Sequence, residues 1–222
     1  MYIPKTATLI NWGTCITLYV LFSWWHGAFE RPLSQKEVDY YSQKLQEISS
    51  DKERKSIQEL LSKDSGKPIF MVNAIKMRET PQAVNGNEVG KSTEELFNEY
   101  QFFVTRFLIK RGSYPIYVGT ASGPTAESWG IDNADDWSTA AVVRYRSLRT
   151  LLEMSTNPAF GDSHEFKIAA IEKTIAYPTQ QNILPVGLGL VVFFILLSLA
   201  LGIQLYISSR MRKNLSVSKI ST

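Results

Sequence analysis

Five side chains in the middle of the sequence have types and positions suited to contacting a ligand. They are Asn73, Arg144, Tyr145, His164 and Trp129. Asn73 interrupts an apolar run, and a buried amide must find hydrogen-bonding partners. It therefore faces a pocket or pairs with a neighbouring helix or loop. His164 lies on the apolar side of a predicted helix, where it acts as a general base or ligand contact, or else packs as a core or interface residue.

The other three candidates lie at the end of a predicted strand and in a connector. Arg144 and Tyr145 are consecutive, so strand alternation sends them to opposite faces of the sheet. Arg144 is suited to bidentate binding of a carboxylate, and an interface salt bridge is the alternative. Trp129 lies in a polar loop, where it could line the mouth of a pocket. The sequence assigns a catalytic role to none of the five.

No motif of a known catalytic class accompanies these residues. The GxSxG, P-loop, CxxC and HExxH motifs and the dinucleotide fingerprint are absent. Two histidines are too few for a histidine-built metal centre, and haem would depend on His164 as its axial ligand. We therefore predict no metal and no cofactor. The net charge of +3 is small and dispersed, which argues against nucleic-acid binding.

The elements that must position these residues follow from hydrophobic periodicity and turn residues. The predicted order is strand 69–77, helix 93–110, strand 114–121, strand 137–145, short helix 146–155, helix 160–173 and strand 174–178. Apart from the short helix, this is the order of the ferredoxin-like βαββαβ fold, of α+β class, which we place at 67–179. Helices on one face leave the other face of the sheet bare, and a second copy of the chain would cover it.

The segment before this domain, 30–66, is predicted to be a helical linker. Ser34 followed by Glu37 matches a capping box and opens a helix with apolar residues at helical spacing. A second short helix follows from about 51 to 61.

Two apolar segments flank the middle region, at 7–29 and 183–207. The second contains no charged residue and is long enough to cross a hydrocarbon core of about 30 Å. The first contains Asn11, Thr14 and Thr17 and ends in Trp24, Trp25 and His26, an amphipathic belt. We predict that both are transmembrane helices, inserted before and after the α+β domain. A cleaved signal peptide is the alternative for the first.

The positive charges predict the orientation of these spans. The C-terminal tail, 208–222, is basic and favours the cytoplasmic side of the membrane. Two crossings then place the N-terminal tail, 1–6, on that side too, and the middle domain on the extracytoplasmic side. The expected partners are the lipid bilayer, a second copy through the sheet face and other membrane proteins.

Three stretches of the middle region resemble the domain-of-unknown-function family numbered 1330. They are GKPIFMVNAIKMRE, DDWSTAAVVRYRSLRTLLEMSTNPAF and HEFKIAAIEKTIAYP, and the resemblance covers about 51–178. It implies a dimeric α+β barrel in which two four-stranded sheets pack face to face around a pocket. Both apolar segments, and the long connector 122–136, depart from the compact form of that family.

Two interpretations of function remain open at this point. The family that the chain resembles has no settled activity, although related barrels include small monooxygenases, isomerases and haem proteins. The first interpretation is a membrane-anchored interaction or accessory module, and the absence of a catalytic set favours it. The second is an enzyme acting on a small molecule inside the barrel. An enclosed pocket joining Asn73, Arg144 and His164 would favour the enzyme.

Overall fold

A computed structural model describes residues 5–48, 51–84, 90–183 and 187–220. The chain divides into two compact units, Glu30–Asn182 and a unit built from Met1–Phe29 and Ile183–Thr222. In chain order the helices are α1 (Lys5–His26), α2 (Gln35–Ile48), α3 (Asp51–Ser62), α4 (Thr93–Ile109), α5 (Leu148–Ser155), α6 (Pro158–Ala170) and α7 (Leu188–Ile220). The strands are β1 (Ile69–Met77), β2 (Tyr114–Thr120), β3 (Thr139–Tyr145) and β4 (Ile171–Thr179).

The middle unit is built on one four-stranded antiparallel sheet with strand order β2-β3-β1-β4. This order, with a helix between β1 and β2 and another between β3 and β4, is the ferredoxin-like arrangement predicted from the sequence. The central strands are β1 and β3, in which Val72 lies opposite Val142. The edge strand β4 contains Pro178, a residue that edge strands tolerate because it lacks an N–H donor.

One face of the sheet is covered by helices. Odd-numbered β1 residues such as Ile69 and Met71, together with Val143 and Tyr145 of β3, pack in a cluster with Leu108 of α4. At the other end of β1, Met77 packs against a second cluster. The members of that cluster include Leu96 of α4 and Ala169 and Ala170 of α6. The core of the unit therefore lies between this face and the helices.

Two helix boundaries depend on local backbone chemistry. Ser92 and Glu95 form a capping box that starts α4. Gly112 adopts φ +66° after α4 ends. The N–H of the following Ser113 donates to the carbonyl of Leu108 at 3.0 Å, so the last turn of α4 is closed as in a Schellman cap. The helix therefore ends within one residue of the predicted bound at 110.

Residues 30–66 are part of the middle unit and contribute to its core. Tyr41 and Leu45 of α2 and Leu61 of α3 are buried in the main cluster. The predicted capping box is present, since the Ser34 N–H donates to Glu37 at 2.8 Å and the Glu37 N–H donates to Ser34 at 3.4 Å. The segment that was predicted to be a helical linker thus packs into the core of the middle unit.

The predicted helix 160–173 differs from the structure at both ends. The helix begins at Pro158, where Asn157 caps it, and ends at Ala170. Ile171 is extended, with φ −101° and ψ 127°, and pairs with Met77 across the ladder. The prediction was wrong at 171–173 because an apolar period of three or four residues runs through Ile171, while strand pairing with β1 decides its conformation.

The second unit is an antiparallel pair of helices. The side-chain amide of Asn11 in α1 donates to the carbonyl of Ala200 in α7 at 2.9 Å, and that of Gln204 donates to the hydroxyl of Thr8 at 3.2 Å. Asn11 is buried although its helix is apolar. Because the residue numbers rise on one helix as they fall on the other, the two helices run in opposite directions.

Both helices of this pair are long and apolar enough to cross a membrane. The spans are Lys5–His26, with mean hydropathy 1.2, and Leu188–Arg210, with mean hydropathy 2.6. Only 6% of each apolar window is buried inside the structure, which is unlike the core helix of a soluble domain. The predicted second span began at 183, but residues 184–186 lie outside the described part of the chain and the helix starts at Leu188. It continues to Ile220, so the described part of the basic tail is helical.

Candidate functional site

One face of the sheet carries none of the core contacts that the described helices of the middle unit make with the other face. Even-numbered β1 residues point to this face, because odd-numbered ones enter the helix-side core. Cross-strand register extends the assignment to the neighbouring strands. We call the resulting surface the open sheet face, and it consists of Val72, Ala74, Tyr117, Ala140, Val142, Ile175 and Tyr177.

This surface is apolar and partly aromatic. The side chains of Tyr117 and Tyr177 are 56% and 50% exposed, and that of Ile175 is 40% exposed. Tyr117 follows a register shift in β2, and its ring lies directly over Gly119, where a β carbon would collide with it. A contiguous apolar surface of this kind on a folded domain usually marks a site of contact with another molecule.

Charged residues lie at the ends of the open sheet face. At one end Lys173 is held by the carbonyls of Asn133 and Asp135 and lies over the ring of Trp137, with its nitrogen 5.0 Å from the ring centre. At the other end lies Arg144, opposite Phe70. The central part of the face therefore has no charged group among the residues that the structure describes.

Arg144 is engaged in local contacts. It is buried, its guanidinium donates to the carbonyl of Gly112 at 3.0 Å, and it lies over the ring of Tyr114 at 5.5 Å. Burial lowers the pKa of its guanidinium from the ordinary value. Arg144 thus ties β3 to the turn that follows α4.

Two of the other sequence candidates lie on the opposite, helix-covered side of the sheet. The amide of Asn73 donates to the carbonyl of Met71 at 3.0 Å, on its own strand, and to that of Ala141 on β3 at 3.5 Å. Tyr145 is buried in the main core cluster, with its hydroxyl 4.0 Å from the sulfur of Met154. Burial raises the pKa of Tyr145, which keeps the phenol protonated.

The last two candidates lie apart from these. His164 of α6 lines a groove of about 780 Å³ formed with α3 and β4, and its ring is 5.5 Å from that of Phe160. Trp129 is 91% exposed in the connector between β2 and β3. Neither Asn73 nor Arg144 lines the groove that contains His164. The five predicted residues are therefore placed at separate positions.

Sequence reasoning missed the residues of the open sheet face. Their signal was period-two alternation, as in Ala140 with Val142 and Ile175 with Tyr177. Alternation identifies two residues that share a face, but only the contacts of α4 and α6 show which face is covered. The predicted candidates were instead polar side chains inside apolar strands, and Asn73 and Arg144 donate to backbone carbonyls in the structure.

Comparison with known proteins supports the fold and leaves the function open. No family model matches the chain, and no curated protein matches it. A crystal structure of methylated RPA0582 protein aligns with 63% of this chain and 97% of its own at 18% identity, with a TM-score of 0.50. A second structure, RPA0582 of Rhodopseudomonas palustris, a protein of unknown function, covers 60% and 95% at 18% identity, with a TM-score of 0.49.

A third structure is more distant. It is a dimeric protein of unknown function and ferredoxin-like fold from Bacteroides fragilis, which covers 51% of this chain and 96% of its own at 10% identity, with a TM-score of 0.29. At identities this low, the likeness to RPA0582 shows the fold alone. The resemblance to family 1330 remains a prediction from the residues.

Proposed function

We propose that the protein is a membrane-anchored α+β barrel module that pairs with a second copy through the open sheet face and serves as an interaction or accessory subunit of a membrane assembly. The observation that carries this proposal is the uncovered apolar sheet face in a unit whose polar strand residues already have structural partners. The dimeric barrel is also what the resemblance to family 1330 implies.

The chemistry of the face suits a copy of itself. A two-fold interface brings the same patch of each copy together, so like charges near the axis would repel. The described centre of this face is built of Val72, Val142 and Tyr117 and avoids that penalty. Depletion of charge with enrichment of aromatic residues is the pattern of the core of protein interfaces.

The size of the face is also compatible with pairing. Four strands about 4.8 Å apart and about seven residues of about 3.3 Å each give roughly 440 Å² of flat area on each copy. Side-chain relief raises the accessible area above that, towards the roughly 1,000 Å² in total expected of a specific interface. Confinement of both copies to one membrane would further raise their effective concentration.

The proposed anchors are α1 and α7, with both termini cytoplasmic and the middle unit extracytoplasmic. Support comes from the length and hydropathy of the two helices and from the basic residues after the second. The polar pairs between Asn11 and Ala200 and between Gln204 and Thr8 are the kind of contact that holds helices together in lipid.

The alternative function, a small-molecule enzyme of monooxygenase or isomerase type, has weaker support. It requires a pocket where polar side chains converge. Asn73 and Arg144 lie on opposite sides of the sheet and donate to backbone carbonyls. An enzyme would need other residues than these.

Disulfide trapping at the centre of the face tests the pairing. Val142→Cys is made in a Cys15→Ala background, and the full chain is oxidised in native membranes or mild detergent. We expect a disulfide-linked dimer on a non-reducing gel, because Val142 lies on a central strand close to the expected two-fold axis. The matched control is Phe102→Cys, at a residue 68% exposed on α4. Equal cross-linking of the two variants, or none at Val142, would overturn the proposal.

A further inference from the structure

The groove lined by His164 carries an excess of positive charge that the open sheet face does not explain. It has a volume of about 780 Å³ and is formed by α3, α6, β4 and the residue that follows β1. Its charged and titratable lining residues are Arg78, His164, Lys167, Glu172 and Lys173. Among the described lining residues, three are basic side chains (Arg78, Lys167 and Lys173) and one is a carboxylate (Glu172).

Arg78 is held at the groove by its backbone, while one buried donor of its side chain lacks a partner among the described residues. Its N–H donates to the carbonyl of Ala170, at the end of α6, at 2.9 Å. The guanidinium Nε is buried and, within the described residues, has no hydrogen-bond acceptor. A buried donor without an acceptor is destabilising, and folded proteins nearly always provide a partner, an ordered water or a bound ion.

Lys167 lies one turn before Ala170 on the same helix. Its ammonium is 5.8 Å from the ring centre of Tyr100, and no carboxylate among the described residues pairs with it. Burial lowers the pKa of Lys167 from its ordinary value, since the desolvated cation lacks a counter-charge. An anion beside it would reverse that effect.

The remaining charges of the groove do not supply the missing acceptor. Lys173 is engaged by the backbone carbonyls of Asn133 and Asp135. Glu172 is the one acidic residue among the described lining residues, and it forms no described ion pair with Arg78 or Lys167. His164 lines the groove one turn before Lys167, and protonation would add to its positive charge.

We propose that this groove is a binding site for a phosphate group, held between the guanidinium of Arg78 and the ammonium of Lys167, with His164 lining the same site. The guanidinium fork of Arg78 suits phosphate geometry, and a phosphate oxygen is the kind of acceptor that its Nε lacks among the described residues. The group can belong to a small soluble phosphate ester or to a phospholipid head. The site is independent of pairing through the open sheet face.

Binding of inorganic phosphate to the full chain in neutral detergent tests the proposal. Calorimetric titration is made at constant ionic strength, with potassium chloride replacing phosphate in the reference. We expect saturable binding that weakens about tenfold in Arg78→Gln and in Lys167→Met, because each change removes one charge-assisted contact. Arg106→Gln and Lys110→Met, at exposed positions on and after α4, are the matched controls and should bind as the parent chain does.

A second readout separates binding from folding defects. The pKa of Lys167, followed by NMR and assigned by the loss of its signal in Lys167→Met, should rise when phosphate is added. Micelles doped with a phosphatidic acid, compared with phosphatidylcholine, identify the source of the group. The site is supported if inorganic phosphate or the doped micelles bind to the parent chain and bind more weakly to Arg78→Gln. Chloride binding as strong as phosphate binding, or phosphate binding that is unchanged in both groove variants, overturns it.

Discussion

Glu37 combines a local and a long-range role. Its carboxylate accepts hydrogen bonds from the N–H and the hydroxyl of Ser34, and it also accepts from the guanidinium of Arg149 at 2.8 Å. Arg149 bonds Glu30 as well, and Glu30 pairs with Arg146 at 2.7 Å. The first residue of the middle unit is thereby tied to α5. The capping box was predictable from spacing, whereas the pairing with Arg149 joins residues far apart in sequence and was not.

This arrangement predicts an acid-dependent loss of stability. The hydrogen bond from Arg149, followed by those from Ser34, lowers the pKa of Glu37 from 4.5 to about 2. A depressed pKa stabilises the folded state above the unfolded value of 4.5, and the contribution is lost as the pH falls from there towards 2. We expect the parent chain to be more stable than Glu37→Gln near neutral pH and the difference to shrink over this window.

Denaturant unfolding of the full chain in detergent, followed by tryptophan signals at a series of pH values, measures this difference. Glu127→Gln, at an exposed connector residue, serves as the control and should leave the profile unchanged. A constant difference between the parent and Glu37→Gln down to pH 2 would rule out the assigned role.

Gly66 is a second residue whose type is dictated by its place. It adopts φ +71°, and a β carbon there would lie 2.6 Å from the carbonyl carbon of Arg31 and 2.7 Å from the nitrogen of Pro32. We expect Gly66→Ala to lower the free energy of unfolding by about 1–3 kcal/mol, from left-handed strain and displacement of backbone. Gly161→Ala in α6, where nothing lies within 4 Å, should leave stability unchanged or raise it by about 0.5–1 kcal/mol. Equal effects of the two changes in a thermal or denaturant melt would contradict this reading.

At the level of elements, disulfide formation can test which residues of α1 and α7 lie next to each other. Cys15 and Leu197 line the same small cavity of about 120 Å³. Leu197→Cys should therefore form an intramolecular disulfide with the native thiol under mild oxidation, seen as a loss of two hydrogens by intact mass. Leu199→Cys, at a residue 53% exposed, is the control and should oxidise more slowly. Similar rates at the two positions would exclude this register.

The Leu197→Cys chain also allows the contribution of the hydrogen bond between Asn11 and Ala200 to be measured. Asn11→Leu removes the hydrogen bond to the Ala200 carbonyl, a bond worth about 0.6 kcal/mol on average between helices in lipid. A modest slowing of disulfide formation in the Leu197→Cys chain is the expected result.

The elements of the middle unit were largely predictable, and their contacts were not. Apolar periodicity located α4 and the first three strands to within about two residues, which is the usual precision of such boundaries. It failed at Ile171–Lys173, where pairing with β1 overrides helical spacing. It also could not tell that Asn73 and Tyr145 lie on the covered side while Arg144 lies on the other, because the covered side is defined by helices distant in sequence.

For the whole molecule, the proposed anchoring predicts how the chain behaves in cells. We expect it to stay in the membrane pellet after alkaline carbonate extraction, because the apolar faces of α1 and α7 lie uncovered in the structure. The intact mass should include residues 1–29, which a cleaved signal peptide would remove. Protease added to intact cells or spheroplasts should digest the middle unit, and a cytoplasmic marker protein should survive. A soluble chain, a shortened N-terminus or a protected middle unit would each contradict this topology.

The antiparallel helix pair has a consequence for the stability of the region it encloses. While α1 and α7 stay in contact at Asn11 and Ala200, the middle region that joins them unfolds as a closed loop and not as a free chain. Closing a loop of roughly 150 residues removes conformational entropy from the denatured ensemble worth up to about 5 kcal/mol by the relation used for disulfides. Separation of α1 from α7 would return that entropy to the denatured ensemble. It would therefore lower the free energy of unfolding of the middle unit, although no contact within that unit is broken.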